Sequence, residues 1–159
     1  MIESARIDVI DEALAMSAIL YTPEAYATWR DEIEAHPQKM FHEILERFRA
    51  GGKFSAADFI AARQRLDEIQ EEYAALTAGY DAVILPTSAI MPPKTERLLN
   101  DHDYYVTENL LTLNNTRIGN LTGGAALTLP TGLRGTGIMF LGGPMSEERL
   151  LRIGAAAEM

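Results

Sequence analysis

Ser88 and Lys94 follow the short apolar run Ala82-Val83-Ile84-Leu85, which ends at Pro86-Thr87. A hydroxyl and an amine placed just beyond a strand end are the groups a serine-lysine nucleophile pair requires. Met91-Pro92-Pro93 lies between them, and no glycine-rich turn beside Ser88 supplies backbone N–H donors for an oxyanion. The pair is therefore set aside as a catalytic device. The three histidines, His36, His42 and His102, have no partner at metal-ligand spacing and no G-x-S-x-G turn to serve, so surface or helix-end roles are expected for them. The glycines between Gly132 and Gly137 match neither phosphate-loop pattern and read as a turn between strands. Carboxylates are plentiful in the first half, but around Arg63, Arg65, Asp67 and Glu68 they face basic partners or water. These residues call for no metal and no cofactor.

The elements that must position such groups divide the chain in two. Residues 1–80 hold 15 acidic and 8 basic side chains, and residues 81–159 hold 8 and 6, so most of the net charge of -9 belongs to the first half. That balance argues against a phosphate-binding surface, and nucleic acid is not expected as a direct partner. With no cysteine, neither disulfides nor thiolate chemistry are open to the chain, which fits a reducing, cytoplasmic setting. No apolar run reaches the roughly 18 residues of a membrane span, and Met1-Ile2-Glu3-Ser4 lacks the basic opening of a secretion signal, so a soluble chain with no membrane partner is expected.

Periodicity predicts helices over residues 1–79. Residues 3–20 read as helix, and Pro23 stands at the first turn of a helix reaching Glu34. Met40, Phe41, Ile44, Leu45 and Phe48 make the stripe of a helix from Pro37 to Ala50. Ser55, three residues before Asp58, starts a long helix from Ala56 to Ala78 with inner residues Phe59, Ala62, Leu66, Ile69, Tyr73 and Leu76. Residues 80–159 mix strands and helices. Ala82–Leu85, Ala126–Leu129 and Ile138–Leu141 are strand candidates, the last two neighbours and antiparallel, and Glu147-Glu148 opens a final helix with Leu150, Leu151, Ile153 and Ala157 inside. Eight of the twelve glycines fall between Gly119 and Gly143, where close approach or positive φ is needed. Two or three strands with apolar residues on both faces require more sheet than this chain offers, so it reads as a single partial α/β domain over residues 1–159.

Three ordered segments carry a family likeness: Asp81 to Thr87, Thr116 to Gly132 (including Asn120-Leu121-Thr122-Gly123-Gly124-Ala125), and Gly137-Ile138-Met139-Phe140-Leu141-Gly142. They resemble the D-x-x-x-x-P-T strand, the T-x-x-x-N-x-x-G turn into a P-A-L-x-L-P strand, and the G-L-x-L-x-G strand at the carboxy-terminal end of the amidase signature family. Phe41 to Phe48, Gly51-Gly52 and Ser55-Ala56-Ala57-Asp58 are similar too, and the likeness covers roughly residues 20–159.

The resemblance implies an α/β/α fold around a large mixed sheet, and hydrolysis of a carboxylic amide by a serine nucleophile, a second serine in a cis peptide and a lysine base. In the family the nucleophile lies in a glycine- and serine-rich signature far to the amino-terminal side of the matched part, and no such stretch occurs in these 159 residues. The likeness implies that the chain works with the amino-terminal part of the same fold, and that Thr87, Ser88, Asn120, Thr122 and Gly123 lie nearest the small amide substrate, the last three in a turn. Ala125 replaces a frequent proline and Met139 a frequent glutamine, and Leu113-Asn114-Asn115 lacks the acidic residue typical of glutamine-dependent transamidation subunits. A structural module that self-associates into a homo-oligomer through an uncovered strand edge is the competing expectation, and a transamidation subunit the third.

Overall fold

A computed structural model describes residues 2–157. It is a mixed α/β structure that divides into two compact units, Met1–Glu71 and Glu72–Met159.

In the first unit α1 (Val9–Ala15) and α2 (Ser17–Ala35) follow one another, then a 3-10 turn at Pro37–Lys39, α3 (His42–Ala50), a second 3-10 turn at Gly51–Lys53 and the start of α4 (Ala56–Thr77). Residues 2–8 lie outside any helix, so the expected helix over residues 3–20 is shorter at its start. Pro23 sits inside α2 rather than at its first turn. The neighbouring Thr22 hydroxyl donates to the Ala18 carbonyl at 2.8 Å, and the helix begins six residues before the proline because Ala18, Ile19 and Leu20 continue it.

The helix expected from Pro37 begins instead at His42, since Phe41 is extended and ends the 3-10 turn's path. Leu45 is buried as the stripe requires, whereas Phe41, outside the helix, is exposed. Gly51 lies directly on the Thr22 carbonyl, where a Cβ would collide with backbone.

Ser55 caps α4: its Oγ accepts from the Asp58 N–H at 3.0 Å, and its hydroxyl donates to the Asp58 carboxylate at 2.7 Å. The inner stripe of α4 is Ala62, Leu66, Ile69 and Tyr73, all buried, but Leu76 is exposed. Arg65 donates from Nε and Nη2 to the two oxygens of Glu12, both at 2.7 Å, tying α4 to α1. This fork holds Glu12 below its ordinary range, as Arg49 does for Glu34.

The second unit contains the tail of α4 and then β1 (Val83–Pro86), α5 (Thr95–Asn100), α6 (His102–Thr112), α7 (Asn114–Thr122), β2 (Ala126–Pro130), β3 (Gly137–Leu141) and α8 (Glu147–Ala157). Both expected neighbours, β2 and β3, pair antiparallel, and β1 pairs antiparallel on the other side of β3, in the order β1-β3-β2.

Register sorts the side chains. Val83, Leu85, Met139, Leu141, Ala126 and Thr128 share one face, and Ile84, Phe140, Leu127, Ile138 and Leu129 the other. Gly119 of α7 approaches Leu141 and Ala126 on the first face, and Gly154 of α8 approaches Leu127 and Leu129 on the second. In α8 Leu150 is buried and Gly154 with it, while Leu151 is 62% exposed and Ala157 exposed. The inner face is thus narrower than expected, because the backbone of Gly154 comes down on β2 and turns Leu151 outward.

Candidate functional site

The end of the sheet at which β1 finishes gathers the hydroxyl and amide groups. Thr87 continues β1, its N–H donating to the Gly137 carbonyl at 2.9 Å. Gly137 is the reason two threonines meet above it: a Cβ there would lie 2.8 Å from Thr87 Oγ1 and 3.0 Å from Thr128 Cγ2. With that space empty, the Thr87 hydroxyl reaches across the middle strand to Thr128 Oγ1 at 3.3 Å. Asn115, in the first turn of α7, donates from Nδ2 to the Pro86 carbonyl at 2.8 Å and so holds the strand end beside the helix. Beyond it, Pro92 lies against Gly135 of the β2–β3 loop, where Thr131 and Thr136 join hydroxyl to hydroxyl.

Ser88 is half-buried, and its Oγ accepts from the Ile90 N–H at 3.4 Å. Lys94 is exposed and extended at the start of α5, its backbone N–H directed to Tyr104 Oη at 3.4 Å. No hydrogen bond among the described residues joins Ser88 to Lys94. Near by, Asp101 caps α6 by accepting from the Tyr104 N–H at 3.0 Å. That bond first, and Arg97 second, hold its carboxyl below the ordinary range.

Asn120, Thr122 and Gly123 stand elsewhere. The expected turn from Asn120 to Gly123 is the last turn of α7 and its left-handed cap, Gly123 with φ 68. The helix persists because Leu121 is fully buried and the Thr122 hydroxyl is spent on the Ile118 carbonyl at 2.9 Å. Asn120 is exposed. Gly124 adjoins the Gly142 carbonyl, at the opposite end of the strands from Thr87. Thr87 and Ser88 therefore share one end with Asn115 and Thr128, and Asn120, Thr122 and Gly123 occupy the other.

At that other end a cleft of about 170 Å³ opens between Tyr73, Thr77, Tyr80, Val83, Leu141, Gly142 and Arg149. Arg149 Nη2 donates to Asp81 Oδ1 at 2.8 Å and to the Tyr80 carbonyl at 3.4 Å, fastening α8 to the start of β1. Burial pushes the Tyr73 phenol above its ordinary value. The histidines all mark helix ends: His36 ends α2, and His42 and His102 begin α3 and α6. No group of three or more His, Asp or Glu among the described residues is arranged to hold a metal ion, and no described helix is long and apolar enough to cross a membrane.

Sequence reasoning missed Asn115 and Thr128. Thr128 stands at an alternating strand position opposite Met139, and Gly137 at a strand start marks room for it. Nothing in the sequence pairs Asn115 with Pro86, 29 residues away.

The chain that builds this sheet and its strand ends is similar to known proteins. The family model described as Amidase covers residues 2–151, and the chain belongs to that family. Among curated proteins, 2-amino-5-chloromuconic acid deaminase of Comamonas testosteroni is 28% identical over 119 residues, which are 72% of this chain and 26% of that protein. A solved amidase superposes with TM-score 0.76 at 19% identity, covering 94% of this chain and 35% of its own. Allophanate hydrolase of Kluyveromyces lactis gives TM-score 0.78 at 21% identity, with 94% and 25% covered. The chain thus spans about a quarter to a third of the length of these relatives.

Proposed function

We propose that this chain is the carboxy-terminal part of an amidase-like serine hydrolase that cleaves the C–N bond of a non-peptide carboxylic amide only when the rest of the family fold is present. One observation carries the reading: the Amidase match runs over residues 2–151, yet the chain spans only 26% of its curated relative and contains no glycine-serine nucleophile signature. In this reading the serine nucleophile, the second serine and the lysine base reside on the remaining polypeptide of the fold. The Thr87 end of the sheet, with Ser88, Thr128 and Asn115, serves as part of the wall against which the amide is seated. Asn120, Thr122 and Gly123 then hold helix and strand together rather than touching substrate, since the Thr122 hydroxyl is already spent on helix backbone. The cysteine-free composition supports a reducing, cytoplasmic setting.

The test is a panel of simple amides offered to the purified chain, with ammonia or amine release as the readout. No turnover is expected. Turnover abolished by Ser88→Ala would overturn the reading, because the nucleophile would then lie within these residues.

A further inference from the structure

The cleft at the Asp81 end of the sheet holds a buried polar group that the fold leaves without a partner. Tyr73, on its wall, is only 6% exposed, yet its hydroxyl makes no hydrogen bond among the described residues and is not sealed from solvent. A buried hydroxyl left unpaired is destabilising, and an acceptor brought by a ligand would relieve it. Burial keeps the phenol protonated well above neutral pH, so it stands as a donor. The Thr77 hydroxyl beside it is already engaged, donating to the Tyr73 carbonyl at 2.8 Å.

Arg149 supplies the charge. Both of its bonds, to Asp81 Oδ1 and to the Tyr80 carbonyl, leave from Nη2, while Nε and Nη1 make no hydrogen bond among the described residues. The Arg149 side chain is 50% exposed and that of Asp81 91%, so the pair is a solvated one that orients the guanidinium and neutralises it only weakly. Between these donors the wall is formed by Val83, Leu141 and Tyr80. The volume, about 170 Å³, is close to the roughly 150 Å³ of an apolar cavity that takes up benzene. One ring fits such a space, and a drug-sized molecule does not.

We infer that the cleft binds a small planar carboxylate about the size of benzoate, its ring against Val83, Leu141 and Tyr80 and its carboxylate accepting from the Tyr73 hydroxyl and from Arg149. The donors set the class. An amine would meet Arg149 with like charge, and a neutral amide would forgo the charge-assisted bond. The cleft and Thr87 lie at opposite ends of the strands, so the inference does not rest on the amide being seated at Thr87.

Titration of the chain with sodium benzoate at constant ionic strength, followed by amide NMR shifts, tests it. Expected are saturable shifts concentrated at Ala82, Val83, Gly142 and Gly143. Benzamide and benzylamine, the neutral and cationic counterparts, should each bind at least about tenfold more weakly. Tyr73→Phe keeps the ring, removes the donor and should weaken benzoate about fivefold. Asp81→Asn removes the carboxylate that competes for Arg149 and should tighten benzoate about two- to fivefold, a gain that a damaged fold does not produce. Shifts that fail to saturate, or that lie away from the cleft, would overturn the site. Benzamide or benzylamine binding as tightly as benzoate would overturn the carboxylate class, and unchanged affinity in Tyr73→Phe would overturn the part given to its hydroxyl. Weaker binding by a folded Asp81→Asn chain would overturn the part given to Arg149. None of these readouts depends on turnover, so their failure leaves the proposed function standing.

Discussion

At the scale of single residues, the strand end is held by groups whose partners are remote in sequence. Asn115 does this most directly, because its amide is the hydrogen-bond partner of a carbonyl that proline leaves at an open edge. Asn115→Ala is expected to lower stability by roughly 1 kcal/mol, the usual net worth of one such bond. A urea titration measures it, and an unchanged midpoint would show that water serves the Pro86 carbonyl equally well. Of the residues implicated by family resemblance, Thr87 and Ser88 could be placed from sequence at a strand end. Asn120 and Thr122 could not be recognised as helical, because Gly119 and Asn120 favour turns and the β-branched Thr116, Ile118 and Thr122 are mediocre helix formers. Burial of Leu121 outweighs that local preference.

At the scale of elements, the strands and the longest helix follow closely from periodicity, and the departures occur where packing narrows a face. The expected β1, β2 and β3 each shift by only a residue, since alternating or continuous apolar runs bounded by glycine and proline admit few other frames. Helices α5 and α6 carry no clear sequence signal, because Tyr104, Val106, Leu110 and Leu111 are at most half-buried and form no strong stripe. The final helix offers a sharp contrast between adjacent leucines. Leu150→Ala is expected to cost roughly 2 to 5 kcal/mol, since it empties a fully buried position. Leu151→Ala should stay within about 0.5 kcal/mol, as an exposed substitution does. Chemical denaturation of the two variants decides, and equal losses would mean that the wider face expected from sequence is the one that packs.

At the scale of the whole molecule, the acidic surface makes stability depend on pH in a predictable direction. Glu12, Glu34 and Asp101 are each held below their ordinary values of 4.5, 4.5 and 3.8 by bonds made only in the folded chain. A carboxyl with a depressed folded pKa binds protons more readily when unfolded. Its contribution is therefore fully present above the ordinary value and is lost as pH falls toward the folded one. The melting temperature is expected to hold from pH 7 to about 5 and to fall below about 4.5, with a smaller fall in about 1 M salt, where exposed ion pairs are already screened. A fall of the same size at both ionic strengths would assign acid sensitivity to other groups.

What sequence alone determined is everything local or ordered along the chain. Helical and strand periods, the Ser55 cap, the glycine requirement before β2, and the spaced segments that resemble amidases all lie within short windows. Tertiary structure alone decided which of those segments touch: that Thr87 meets Thr128 over Gly137, that Asn115 closes one strand edge, and that Asn120 to Gly123 stand at the opposite end from Thr87. The physical reason is register. Pairing three strands whose partners are as distant in sequence as Val83 and Leu141 sets every side chain's neighbour at once, and no local pattern encodes which ends of antiparallel strands come together.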